Sequence, residues 1–317
     1  MIDREFIIGV KRGGACLPAY EIQQMAGRCG RSYTASGKVS VVVPSEDAVY
    51  AERCLFGDPE PIVSSLDAES AAFGVLPRIL KKGSFGESDY DAWYRRSLAC
   101  AQGRAVAWSE VASLLKEYGA VAETDDGGVA ATPFGVLSCR FYYPPRRVCF
   151  LREKLSQAED LRRPEVAAWV FSYNGIYLPE ECGDLVGEYR SACPYSSFAG
   201  EGSEGACYYA LFTGRRPKPL TYALGALRRD FGRLCACAIE VARLVGRGDT
   251  EVIQTWREAV ARGLSRDMAA IAVAFPTASK PLLMEMEAVG IRRREDAAGC
   301  RYTLTPALTA FLKEQRL

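Results

Sequence analysis

Residues 24–31 read Gln24-Met25-Ala26-Gly27-Arg28-Cys29-Gly30-Arg31. Two arginines stand three apart in a glycine-bearing frame. A guanidinium is a planar fork of N–H donors that stays charged at any physiological pH, and its geometry suits phosphate oxygens. Glycine lets the backbone turn tightly or pass close to a ligand. These residue types suit contact with an anion, and a solvated Arg-Gly surface loop is the other reading. Upstream, residues 5–10 read as a strand, Lys11-Arg12-Gly13-Gly14 as a turn, and Ala15 to Leu17 as a returning strand. Tyr20 to Ala26 reads as a helix with Ile22 and Met25 spaced to face inward.

The flanks extend the pattern. Ser32 to Val39 runs into the apolar Val41-Val42-Val43. Next comes Arg53-Cys54-Leu55-Phe56-Gly57-Asp58-Pro59-Glu60-Pro61-Ile62. A later phrase reads Thr132-Pro133-Phe134-Gly135-Val136-Leu137-Ser138-Cys139-Arg140-Phe141-Tyr142. The motif Q-x-x-G-R-x-G-R, the phrase ending in Pro-Ile and the T-P-x-G-x-x-x-S-x-x-Y stretch together resemble the Ski-like branch of superfamily-two helicases. Within that branch they are most like the repair helicases related to the helicase half of polymerase theta. The resemblance runs from residue 5 to about residue 295. It is specific over 21–62 and 132–142 and loose elsewhere.

That resemblance implies a set of roles. Arg28 and Arg31 would face the β- and γ-phosphates of ATP as arginine fingers, groups worth roughly 10³–10⁵ in rate. Gln24, Gly27 and Gly30 would line the same ATP and Mg²⁺ site. The turn carrying Lys11 and Arg12 would be the hairpin that splits duplex DNA; a plain turn is the other reading. Yet the chain has no phosphate-binding loop of the form G-x-x-x-x-G-K-[ST], since Gly37-Lys38 is followed by Val39. Nor does an acidic Mg²⁺ motif precede Gln24. The chain is thus expected to carry the end of the second RecA-like domain and the accessory domains. It would be half of a split helicase, a truncation, or a relic put to other use. The expected partners are single-stranded or forked DNA and a polypeptide carrying the first RecA-like domain and most of the second.

Composition limits the alternatives. The 317 residues are 49% hydrophobic and 25% charged, which fits a globular chain of two or three domains. The net charge of +1 means that any basic surface is local. There is no histidine, which removes Ser-His-Asp and Cys-His catalysis and histidine metal sites. The 12 cysteines include no C-x-x-C pair, so no protein-bound metal is expected, and their scatter fits a reducing compartment. No stretch approaches the length of a membrane-spanning helix. The expected location is the cytoplasm or nucleoid.

The chain is expected to be mostly α with small β elements. Residues 1–61 read as the C-terminal portion of a RecA-like α/β domain, ending at Gly57-Asp58-Pro59-Glu60-Pro61. Residues 62–150 read as a winged helix. It would have helices over Ala68–Lys81, Ser88–Gln102 and Ser109–Tyr118 (Ser109 as N-cap), then a hairpin from Val121 to Ala131 with an acidic tip. Few basic residues lie on its recognition helix, so a bracing role is expected.

Residues 151–248 read as a helical bundle, with 196–207, small and polar, as an exposed loop. Its longest helix, Thr221 to Val245, carries Arg228, Arg229, Arg233 and Arg243. In the resembled helicases this is the ratchet helix, which grips single-stranded DNA with an Arg and a Trp seven residues apart. Those positions fall here on Arg229 and Ala236. Arg228, Arg229 and Arg233 are the expected strand contacts, with a solvated arginine face as the alternative. Residues 249–317 read as a degenerate helix-hairpin-helix. Its hairpin, Phe275-Pro276-Thr277-Ala278-Ser279, lacks the glycines that phosphate binding needs.

The motor reading stands beside two others. One is a non-hydrolysing module that binds nucleic acid or a replication protein. The other is an RNA helicase fragment.

Overall fold

The computed structural model describes residues 4–12, 15–30, 37–176, 178–195, 201–298 and 303–315. The chain is mostly helical with three two-stranded sheets among these residues. It divides into two compact units. One comprises Met1–Ser65 with Ser97–Arg104, the other Leu66–Arg96 with Ala105–Leu317.

In the first unit, β1 (Arg4–Ile8) ends where Gly9 takes φ +81°. The strand therefore ends two residues before the expected end and starts one residue before the expected start. Lys11 and Arg12, read as part of the turn, instead form a short strand β2 (Lys11–Arg12) that pairs antiparallel with β3 (Ala15–Cys16), Lys11 opposite Cys16 and Arg12 opposite Ala15. Residues 13 and 14 at the turn lie outside the described residues. Helix α1 (Ala19–Ala26) follows, and β4 (Lys38–Val42) returns parallel to β1, with Arg4 opposite Lys38 and Ile8 opposite Val42. A 3-10 turn at Ser45–Asp47 leads into α2 (Ala48–Phe56).

The core of this unit is small: Ile7, Val10, Leu17, Ile22, Ala51 and Cys54. Parallel sheets normally lie covered on both faces. Here Ile7 points into the core, while Phe6 and Ile8 on the opposite face are 65% and 84% exposed. Val42 on β4 is 55% exposed.

The second unit begins with α3 (Ala68–Lys82), whose N-cap Asp67 accepts from Ser70 N–H at 2.8 Å. The helix expected over Ser88–Gln102 is two helices, α4 (Glu87–Tyr94) here and α5 (Leu98–Ala101) in the first unit. Ser97 sits extended between them and caps the second through Cys100 N–H, a local bond that competes with helix continuation. Helix α6 (Trp108–Glu117) starts one residue before Ser109, which is not its cap. Trp108 packs against Tyr90 and Phe85, at 5.4 and 5.7 Å between ring centroids, and this packing holds the first turn. Strands β5 (Val121–Glu123) and β6 (Val129–Ala131) form the expected hairpin, and Phe85 bridges to Val129 as a third strand position.

A larger core is built by α7 (Pro133–Phe141), α8 (Pro145–Gln157), α9 (Pro164–Phe171), α10 (Gly183–Ala192), α11 (Glu201–Phe212), α12 (Thr221–Leu244) and α13 (Thr250–Arg262). Aromatic rings meet at its centre: Phe212 stacks on Trp256 at 4.6 Å, and Phe171 meets Phe231 edge-on at 4.9 Å. Lys154 is buried, and its ammonium donates to Trp169 O and Ser172 O at 3.1 and 2.7 Å. These carbonyls close α9, where a cation meets the negative end of the helix.

The expected loop over 196–207 is corrected. Residues 201–207 begin α11, and 196–200 lie outside the described residues. The small residues there are small because helices pack closely, not because the segment is solvated. A Cβ on Gly205 would sit 2.5 Å from the Tyr189 hydroxyl, and Ala206 and Cys207 are fully buried.

The chain ends in α14 (Arg266–Ala274), α15 (Lys280–Ala288), α16 (Arg294–Ala298) and α17 (Pro306–Glu314), packed around Phe275, Leu283, Met286 and Leu308. Phe275 and Ala278 of the segment read as a hairpin are buried and help build this core. Among the described residues no helix is long and apolar enough to cross a membrane.

Candidate functional site

The arginine motif sits at the C-terminal end of α1. The N–H groups of Gly27, Arg28 and Cys29 donate back to Gln23, Met25 and Ala26 at 2.8, 3.0 and 3.3 Å, so the motif leaves the helix in a tight turn. Gly30 takes φ +68°, a conformation that favours glycine, whereas Gly27 takes φ −70°, which any residue can adopt. The turning role expected of both glycines therefore holds for Gly30 alone. Gln24 and Arg28 are exposed, and among the described residues Arg28 has no ion-pair partner. Arg31 lies outside the described residues.

Three further residues fix this turn, and sequence reading did not single them out. Gln23 donates its amide to Cys54 O and Gly57 O at 2.9 and 3.0 Å, clamping α1 to the end of α2. Glu60 accepts from the N–H groups of Ala19 and Tyr20 at 2.9 and 3.3 Å. Those backbone bonds, Ala19's foremost, hold its carboxyl below the usual range. It caps α1, whose own N-cap position is Pro18 and offers no side-chain acceptor. A Cβ on Gly37 would collide with the Cys29 sulfur and stand 2.7 Å from Gly30 N. The Asp-Pro-Glu-Pro phrase thus has a local purpose that its sequence shows only as a break.

The hairpin cations are held within the unit. Lys11 pairs with Asp47 at 2.7 Å, and this hydrogen bond raises its pKa. Arg12 pairs with Glu21 at 2.8 Å. Both are surface pairs, a kind that contributes little, so either cation can be surrendered to a phosphate at small cost.

Of the four arginines of α12, the three expected to meet the strand differ. Arg229 is exposed and has no ion-pair or hydrogen-bond partner among the described residues. Arg228 is exposed and donates to Ala261 O at 2.9 Å. Arg233 is engaged: it bonds Asp230 at 2.8 Å and Phe141 O at 3.1 Å. The structure therefore leaves Arg229 free for a ligand and uses Arg233 within the fold. Ala236 lies half-buried two turns beyond Arg229.

The 132–142 phrase is a packing corner. Thr132 caps α7 through Gly135 N–H and donates to Gly119 O at 2.6 Å. A Cβ on Gly135 would strike Ala120 O. Ser138 donates to Tyr143 O at 2.5 Å, and Tyr142 closes the helix in the left-handed region at φ 55°. Among the described residues no group of three or more His, Cys, Asp or Glu side chains could hold a metal ion.

No protein-family model matches the chain. It is 28% identical over 172 residues to the ATP-dependent DNA helicase Hel308 of Pyrococcus horikoshii. The match covers 51% of this chain and 24% of that helicase, so the chain spans about a quarter of the length of the curated relative it matches. The similarity marks a helicase-related region in a mostly helical chain.

Proposed function

We propose that this chain is the C-terminal portion of an ATP-dependent 3′–5′ DNA helicase of the Ski-like, repair-helicase branch. It acts in DNA repair or replication in the cytoplasm or at the nucleoid. Residues 1–61 end the second RecA-like domain, 62–150 form a winged helix, 151–248 hold the ratchet helix, and 249–317 form a degenerate helix-hairpin-helix. The observation that carries the reading is the setting of the motif. Arg28 lies exposed beside a parallel sheet of two strands whose outer face leaves Phe6, Ile8 and Val42 uncovered. Such a sheet calls for further strands and helices. A polypeptide carrying the first RecA-like domain and most of the second would supply them.

The residues present fit one edge of an ATP site. Arg28 and Arg31 would face the phosphates, beside Gln24, Gly27 and Gly30. The phosphate cradle and the acidic Mg²⁺ ligands would come from the completing polypeptide. ATP with Mg²⁺ would supply the phosphoryl transfer that drives movement.

The test is reconstitution. The chain is mixed with a polypeptide bearing the phosphate-binding loop, and phosphate release is followed with single-stranded DNA or RNA. Neither component alone should turn over, and the mixture should, with DNA stimulating more than RNA. Arg28→Ala or Arg31→Ala should lower the rate by about 10³-fold or more. Equal rates for both variants and wild type would sink the motor reading in favour of a non-hydrolysing binding module. Stronger stimulation by RNA would turn the substrate assignment over.

A further inference from the structure

A second cationic site lies well away from the arginine motif in sequence, within the second unit. Between the end of α11, the middle of α12 and the α13–α14 connection runs a cleft of about 540 Å³, within the size range of small-molecule sites. Four arginines line it: Arg215, Arg216, Arg228 and Arg266. No carboxylate does. Its floor is apolar, with Leu211, Phe212, Val260 and Leu264.

The charges converge on one point. Gly263 closes α13 in the left-handed conformation, φ +62°. A Cβ built there would stand 3.5 Å from an Arg216 terminal nitrogen and 3.8 Å from an Arg228 terminal nitrogen. Two like-charged guanidiniums thus approach the same bare backbone position. Lys280 steadies this turn by donating to Gly263 O at 3.3 Å.

Compensation within the fold is thin. Arg215 is neutralised by Glu188, which also accepts from Tyr209. Among the described residues, Arg228 bonds Ala261 O and Arg266 bonds Arg162 O, and Arg216 has no ion-pair partner. Carbonyl oxygens orient a guanidinium without cancelling its charge. Like charges gathered without acids repel one another, and an anion bridging them relieves that repulsion.

We infer that this cleft binds a terminal phosphate monoester of nucleotide size. The phosphate sits between Arg216 and Arg228, and the organic group lies over Phe212 and Leu264. A monoester carries close to two negative charges at neutral pH, against one for an internal phosphodiester, so it matches a convergent cluster better. Two sources share this chemistry: the phosphorylated end of a nucleic-acid strand, and a free nucleotide or pyrophosphate. The inference rests on the cleft alone and does not require the helicase reading, since it is tested without ATP hydrolysis.

The experiment uses the full chain. Inorganic pyrophosphate is titrated by calorimetry, and a labelled oligonucleotide with either a 5′-phosphate or a 5′-hydroxyl is followed by anisotropy. Pyrophosphate should bind, and Arg216→Ala and Arg228→Ala should each weaken it about tenfold or more. Arg243→Ala, an exposed arginine paired with Glu240 elsewhere on α12, should leave it unchanged. A preference for the phosphorylated oligonucleotide that is lost in Arg216→Ala assigns the strand end as the source. Pyrophosphate binding with no such preference assigns the free anion. Arg228 also holds Ala261, so Arg216→Ala is the deciding variant if Arg228→Ala proves unstable. Absence of pyrophosphate binding, or binding unchanged in Arg216→Ala, overturns the site.

Discussion

Arg233 lies over the face of Tyr143, its guanidinium carbon 4.4 Å from the ring centroid, and both side chains bond the same carboxylate, that of Asp230. The Tyr143 hydroxyl donates to Asp230 at 2.8 Å, and burial, then this bond, keeps its pKa well above the ordinary tyrosine value. The network ties α12 to the corner between α7 and α8. A cation over an aromatic ring contributes about 0.5–2 kcal/mol, and an exposed ion pair about 0–1 kcal/mol. Arg233→Ala should thus destabilise the chain by about 1–2 kcal/mol. In chemical denaturation the midpoint should move with little change in slope. Unchanged stability would show that the stack contributes nothing.

The Glu60 cap makes a local prediction. Glu60→Gln keeps the shape but weakens acceptance from two backbone N–H groups, and Glu60→Ala removes it. The amides of Ala19 and Tyr20 should then exchange faster with solvent, and the effect should grow from Gln to Ala. Amides in α13 should not respond. Protection unchanged in the alanine variant would mean that Pro18 alone sets the start of α1.

How far the sequence reaches depends on the range of the forces involved. The helices read over Ala68–Lys81 and Thr221–Val245 were legible because apolar spacing is a local signal; the structure ends them at Lys82 and Leu244. The Val121–Ala131 hairpin was legible from its Asp-Asp-Gly-Gly turn. The start of α11 was not, since Gly202 and Gly205 look like loop residues until α10 is placed beside them, Arg190 against Gly202 and Tyr189 against Gly205. Nor was the engagement of Arg233. It depends on Phe141 O and on the Tyr143 ring, about 90 residues away, whereas Arg229 four residues earlier remains free. At the arginine motif, the turn at Gly30 was legible from its glycine. Gln23 and Glu60 act across 31 residues or more, and no local pattern announces them.

Asp126 at the β5–β6 turn accepts from Thr124, from Ser84 at 2.8 Å and from Gly128 N–H at 3.3 Å. Those bonds, Thr124's foremost, lower its pKa from 3.8 to about 2. A carboxyl with a depressed folded pKa contributes stability above its unfolded value, and that stability is lost as pH falls through the folded one. The contribution should be complete above about pH 4 and fade towards pH 2. Asp126→Asn should therefore lower the melting temperature at pH 6, and the gap to wild type should close as pH falls across that window. A gap that stays constant with pH would mean that the charge has no part in holding the turn.

The last prediction concerns the strand on α12. If this helix tracks single-stranded nucleic acid as the helicase reading has it, Arg229 meets a phosphate first, because nothing in the fold competes for it. Each phosphate contact on a single strand adds about 0.7 to the slope of log affinity against log salt. Arg229→Ala should flatten that slope by about 0.7, while Arg233→Ala should flatten it less, its guanidinium being held by Asp230 and Phe141 O. Seven residues make nearly two helical turns, so Ala236 shares a face with Arg229. Base–aromatic stacking contributes about 1–3 kcal/mol per base, and Ala236→Trp should tighten binding by up to that amount. Anisotropy of a labelled oligonucleotide across a salt series reads all three effects. An unchanged slope in Arg229→Ala, with no gain from Ala236→Trp, would place this face of α12 away from the strand. A slope that responds to Arg233 more than to Arg229 would mean that the Asp230 pairing opens when the strand binds.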